Sequence, residues 1–261
     1  MKQRVFLYSL ALASSWSLGA QPVRAASDYG STCNGLPSQS ALRAALKTAR
    51  GQANGGFNLD MWATIVNRDG VVCAVAFTGN DRGDQWPGSR VISAQKANTA
   101  NAFSLPGLAL STANLYSAVQ PGGSLYGLQH SNPVDTGVAY QGPASNWGQP
   151  NDPMTGDRIG GVNVFGGGLA LYNSAHQLLG ALGVSGDSSC ADHNIAWRTR
   201  HTLLLDYVPA GVSGDSSRPD NIVYDITNAP GLAMGVSAKG WGHPVCSAAA
   251  TSIAAGLPAT R

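Results

Sequence analysis

Two apolar, β-rich runs, Met61 to Val66 and Val71 to Phe77, are separated only by Asn67-Arg68-Asp69-Gly70. Asn, Asp and Gly supply the backbone conformations that a tight reversal needs, so the segment predicts a β-hairpin. A hairpin cannot hide its apolar side alone, and the neighbouring segments must cover it. Upstream, Ser38 or Ser40 is a helix cap, and Leu42, Leu46 and Ala49 are spaced on one face. That helix is expected to run to about Ala53 and to stop at Gly55-Gly56. Downstream, Ser89 to Phe103 places Val91, Ala94, Ala97 and Ala100 at roughly helical spacing, small enough for close packing on a sheet. Ser111 caps a predicted short helix to Val119. Gln120 to Gly160 is rich in Gly, Pro, Asn and Asp and reads as a long irregular insert, the kind of segment that often carries a site. Further strands are predicted at Gly161–Phe165, Leu169–Tyr172 and Leu178–Val184, then a helix from Cys190 to about Leu204 and an irregular tail from Asp206. Gly166-Gly167-Gly168 has no dinucleotide fingerprint and marks a bulge or a tight backbone crossing.

One heptapeptide occurs twice, at Gly183–Ser189 and at Gly211–Ser217. The repeat is too short for repeat architecture. The first copy lies at a strand–loop–helix junction, a natural anion site, and the second reads as local turn chemistry.

Residues 1–25 have the order of a secretory leader: basic Met1–Arg4, an apolar stretch to Leu18, and Val23-Arg24-Ala25 before the expected cleavage. The apolar stretch is too short for a membrane span, and no later run reaches the roughly 20 residues a helical span needs. Removing the leader leaves 13 basic residues against 14 acidic ones, all Asp, since the chain has no Glu. That balance argues against nucleic-acid binding. Cys33, Cys73, Cys190 and Cys246 all lie beyond the leader. In an exported chain they predict two disulfides with three possible connectivities. Cys33–Cys73, tying an N-terminal arm at 26–37 to the hairpin, with Cys190–Cys246, stapling the tail to a helix start, is the preferred pairing. None has zinc-finger spacing.

The absence of Glu removes the zincin pattern and any Glu acid–base pair. No nucleophile elbow, P-loop or Cys-x-x-Cys-His haem attachment is present. With the Cys oxidised, the candidates to hold a haem iron are His and Tyr. His193, Trp197 and His201 recur at i, i+4 and i+8, so His193 is either a haem-iron or metal ligand or part of a packed polar face. His130 lies in the insert near Tyr126, Tyr140 and Trp147, a set able to line a flat apolar ligand or simply to pack the loop. His176 is expected in an exposed turn, and His243 beside a disulfide in a structural role. Lys96 stands among small residues on a helix, where its ammonium either meets a propionate, another carboxylate or Asp192 or simply points at solvent.

The stretch Val66 to Val75, with Ser93-Ala94-Gln95-Lys96-Ala97-Asn98-Thr99-Ala100, resembles the GlcG/HbpS-like family, often labelled haem-binding or haem-degrading. Gly180 to Gly186 followed by Asp192 resembles that family's second signature. The likeness covers about 40–205. It implies an α/β (α+β) fold: one domain with an antiparallel sheet and helices packed against it. It also implies homo-oligomers and, in some members, haem. Lys96, Gly183, Ser185, Gly186 and Asp192 match signature positions and imply a polar pocket between a helix and the glycine loop. The insert at about 120–160, the cysteines and the extension at 206–261 depart from the usual short form. The expectation is an exported haem- or tetrapyrrole-binding protein. A protein or enzyme for a small organic acid and a cofactor-free interaction protein are the alternatives.

Overall fold

The computed structural model describes residues 32–261. The expected leader and residues 26–31 of the arm lie outside the described residues. The hairpin forms as its turn dictates. Strand β1 (Trp62–Asn67) pairs antiparallel with β2 (Val72–Phe77), and Gly70 takes φ +74°. The Asn67 side chain accepts bonds from the backbone N–H groups of Asp69 and Val71, each at 2.9 Å, and so closes the turn. Two later strands, β3 (Gly168–Tyr172) and β4 (Leu178–Ser185), complete a four-stranded antiparallel sheet of order β2-β1-β4-β3.

Both faces of this sheet are covered, which is why every residue of β1 and β3 is buried and their apolar runs lack a polar alternation. Helix α1 (Gln39–Arg50), capped by Ser38, buries Leu42, Leu46 and Ala49 on one face. It ends at Gly51, earlier than Gly55-Gly56, because the Gly51 N–H already closes the helix on Lys47 and Ala49. Helix α2 (Ser89–Phe103) covers the other face with Val91, Ala94, Ala97 and Ala100. The insert lies over this second face: Ala139, Met154 and Ile159 join its core. Its longest helices, α3 (Leu128–Ser131) and α4 (Thr136–Ala139), have four residues each. Arg90 holds the insert down. Its guanidinium ion-pairs with buried Asp152, donates to Ala139 O at 2.6 Å and stacks 4.5 Å from the Trp147 ring centre.

Three expectations need correction. Gly161–Phe165 forms no strand. Gly160 and Gly161 take positive φ, and α2 side chains occupy the segment's polar groups: Asn98 donates to Gly161 O, and Thr99 accepts from Asn163 N. Ser111 does cap, with Asn114 closing a capping box, but the capped segment is two 3₁₀ turns, Thr112–Leu115 and Ser117–Val119, rather than an α-helix. The tail after Asp206 is not wholly irregular. It carries a hairpin, β5 (Ile226–Ala229) with β6 (Leu232–Ser237), and helix α6 (Ala248–Ala255), between which runs the chain that closes the second disulfide. Helix α5 (Ser189–Thr202), capped by Ser188, lies beside α1, and tail residues Ile222, Ala250, Ala254 and Leu257 complete their shared core. Buried Arg200 of α5 grips Asp220 with two bonds of 2.6 and 2.8 Å, fixing the tail's path.

The disulfides are Cys33–Cys73 and Cys190–Cys246, as preferred from sequence. They close loops of 40 and 56 residues, which chain-entropy arguments value at about 4 kcal/mol each. Among the described residues, no helix is long and apolar enough to cross a membrane.

Helix α2 lies very close on β4. A Cβ on Gly183 would overlap the Ser93 carbonyl oxygen and sit 2.5 Å from Ala97 N. Gly183→Ala is therefore expected to lower stability by about 1–3 kcal/mol through overpacking, whereas Gly107→Ala, with open space around it, changes stability by less than about 0.5 kcal/mol. Urea denaturation of the two variants beside the unsubstituted protein checks this; equal midpoints would refute the close-approach argument.

Candidate functional site

Where β4 ends, the Gly186–Ser188 loop turns the chain into α5, and α2 passes alongside. A cleft of about 290 Å³ opens between them, lined by Trp86, Ser89, Ile92, Lys96, Phe165, Ser185, Asp187, Ser189 and Asp192. Its floor is polar and its walls are apolar. Trp86 and Phe165 stand about half-exposed, 52% and 47%, at the rim.

The Lys96 ammonium is 1% exposed and has taken Asp192 as its partner, at 2.7 Å, with a second bond of 3.1 Å to Val184 O. The other Asp192 oxygen accepts from Asp187 N at 2.9 Å. Burial raises the Asp192 carboxyl to about 6, against the pull of Lys96. Gly167 makes room for this pair. Its φ is +120°, and a Cβ there would overlap Val184 O and lie 3.2 Å from Lys96 Nζ. The glycine triplet is thus a tight crossing. Ser185 donates to the Ser89 hydroxyl at 3.2 Å. Asp187 is tied to the backbone, accepting from Phe57 N, Leu59 N and Ser188 N. In the second heptapeptide copy, Asp215 makes a similar turn with Ser217 N and Oγ.

Ser189, the first residue of α5, brings a tail residue to the cleft. Its Oγ lies 3.1 Å from His243 Nε2 and 3.6 Å from Cys246 Sγ. His243 Nδ1 faces Pro244 O at 2.8 Å, and its ring packs 5.0 Å from the Tyr116 ring. Burial lowers His243 to about 4.

Lys96, Ser185 and Asp192, which the family resemblance singled out, line the same cleft. Gly186 shapes the β4 exit, where a Cβ would crowd Asp60 O and Met61, and it does not line the cleft. His193 adjoins Asp192 in sequence but points away from the cleft. It is fully buried, with Nε2 between Asn221 Oδ1 and Ile222 N and its ring 6.0 Å from Trp197. Its Nδ1 has no partner, and burial lowers it to about 4. His130 is exposed on α3 of the insert, outside the cleft. His176 is exposed in its turn, as expected. Sequence reasoning missed Trp86, Ile92, Phe165 and the Ser189–His243 contact. Trp86 sat in a polar loop and Phe165 in an expected strand; nothing local joins Ser189 to a residue 54 positions away.

Residues 38–200 match the family described as haem degrading protein HbpS-like. The chain belongs to this HbpS-like family. Among solved structures, Klebsiella pneumoniae protein ORFY is 24% identical, with 64% of this chain and 90% of that chain covered and a TM-score of 0.44. A PduOC:heme complex is 24% identical, with 62% and 89% covered and a TM-score of 0.43. A double mutant of Streptomyces reticuli HbpS is 16% identical, with 75% and 98% covered and a TM-score of 0.39. No curated protein matches the chain.

The buried charges make two effects measurable. Breaking the Lys96–Asp192 pair on one side strands a buried charge, so Lys96→Met or Asp192→Leu alone is expected to cost about 3–5 kcal/mol. The double variant should recover most of that loss, and a thermal-denaturation double-mutant cycle reads the coupling; additive losses would refute it. Acid acts on the same groups. His193 and His243 have lowered folded pKa values, so they lose stability as pH falls from about 6.5 towards 4. Asp192, raised to about 6, acts oppositely: the folded state protonates first, so its contribution improves as pH falls through 6. Two groups outweigh one, and unfolding near pH 5 should take up about one net proton. Urea midpoints should fall from pH 7 to pH 5 in the unsubstituted protein and change little in His193→Gln.

Proposed function

We propose that this chain is an exported protein that binds a tetrapyrrole by its apolar face and edge at the Trp86–Phe165 cleft. Family membership supports the ligand class; the two disulfides and the leader-like residues 1–25 support export. The observation that carries the reading is the pair of half-exposed aromatic side chains on one cleft that Ile92 also lines. At about 290 Å³ the cleft is at the small end for ligand pockets, so it would hold part of a macrocycle. Self-association, implied by the family resemblance, belongs to the same reading.

A ligated haem iron does not fit this cleft. Its lining contains no His, Tyr, Met or Cys. The nearest imidazole, His243, has both nitrogens engaged, and His193 is enclosed. The ligand is therefore gripped by its ring and not through its metal. A small organic acid is less suited, because the floor holds one Lys against two Asp and the Lys is already paired.

Titration with haemin and with iron-free protoporphyrin IX, followed at the Soret band, tests the reading. Both should saturate at one equivalent with similar affinity, and Trp86→Ala should weaken both by about 3- to 10-fold, as the loss of a ring contact implies. His130→Ala and His193→Ala should bind as the unsubstituted protein does. Binding of haemin alone, abolished in His130→Ala, would overturn it and move the ligand to the insert.

A further inference from the structure

The mouth of the cleft holds a second chemical device. Ser189 lines it, and His243 Nε2 lies 3.1 Å from the Ser189 hydroxyl. The tautomer is fixed by the other ring nitrogen: Nδ1 faces a carbonyl, Pro244 O, at 2.8 Å, so Nδ1 carries the proton and Nε2 accepts from Ser189. The ring is 2% exposed and held against Tyr116, and the Cys190–Cys246 disulfide ties its segment to the residue following Ser189. A hydroxyl, a neutral imidazole nitrogen that accepts from it and a carbonyl that orients the imidazole thus meet beside a cavity with an apolar wall.

We propose that Ser189 and His243 are a nucleophile–base pair that hydrolyses uncharged esters with an aromatic or aliphatic body. The substrate is uncharged because Asp187 and Asp192 outnumber Lys96 on the floor, and its body rests on Trp86 and Phe165. Ser189 Oγ forms a bond to the ester carbonyl carbon as its proton passes to His243 Nε2. The carbonyl–oxygen bond to the alcohol then breaks, and His243 returns the proton to the departing alcohol. Water, deprotonated by the same nitrogen, releases the acid and restores Ser189. No redox partner or metal enters the balance.

This activity shares the cleft with the tetrapyrrole reading but does not depend on its ligand. The disulfide-bonded protein is incubated with p-nitrophenyl butyrate, and separately with phenylmethylsulfonyl fluoride followed by peptide mass spectrometry. Hydrolysis should fall at least about 100-fold in Ser189→Ala and in His243→Gln. The sulfonyl adduct should map to Ser189. Ser189→Ala removes one exposed-side oxygen and should keep the native circular dichroism, so its result stands even where His243→Gln misfolds. Hydrolysis unchanged in Ser189→Ala, or no hydrolysis and no adduct at Ser189, overturns the proposal. Porphyrin binding without ester hydrolysis would sink the dyad alone; ester hydrolysis without porphyrin binding would sink the tetrapyrrole reading alone.

Discussion

The approach of α2 onto β4 at Gly183 governs what lies around it. With no side chain at that position, the helix backbone comes down onto the strand, and the small residues Ala94, Ala97 and Ala100 keep the interface thin. That closeness brings Lys96 within reach of Val184 O and of Asp192 across the sheet end. A bulkier residue at 183 would collide with the α2 backbone at Ser93 and Ala97, on either side of Lys96. The cleft exists because the helix and the strand end are held at this fixed separation while the Gly186–Ser188 loop turns away.

Among the described residues, three buried ion pairs divide the work of assembly. Lys96–Asp192 joins α2 to α5, Arg90–Asp152 joins α2 to the insert, and Arg200–Asp220 joins α5 to the tail. Each Arg also stacks on a Trp, Arg90 on Trp147 and Arg200 on Trp197. Buried charges are a poor source of net stability, because desolvation offsets much of the attraction. They are demanding about geometry, however: an unpaired member is costly, so irregular segments such as the insert have few alternatives to their observed path.

What could be read from the sequence was what short-range chemistry decides. The Asn67–Gly70 hairpin, the Ser38 cap, the exposed His176 turn and the α2 packing face all arise from neighbours in the chain. The disulfide pairing came from which ends needed tying, and the family resemblance located Lys96, Ser185 and Asp192. What failed depended on distant partners. Gly161–Phe165 has strand-like composition, but Asn98 and Thr99 of α2 take its polar groups before another strand can. Helix α6 was overlooked although Ser247 precedes an Ala-rich run, a cap and propensity signal that was present. The Ser189–His243 contact had no local trace, because the tail's route is set by Asp220 on Arg200 and by the disulfide.

The electrical state of the floor then decides how the cleft recognises anything. Lys96 is spent on Asp192, and Asp187 is spent on three backbone N–H groups, so neither sign of charge is offered outward at full strength. The exposed part of the lining is aromatic: Trp86 and Phe165 stand about half-exposed. At the mouth, the Ser189 hydroxyl lies 3.1 Å from an imidazole nitrogen of His243. The aromatic rim and the Ser189–His243 contact are separable features, and different segments supply them: Trp86 and Phe165 flank the sheet-bound elements, and the stapled tail brings His243.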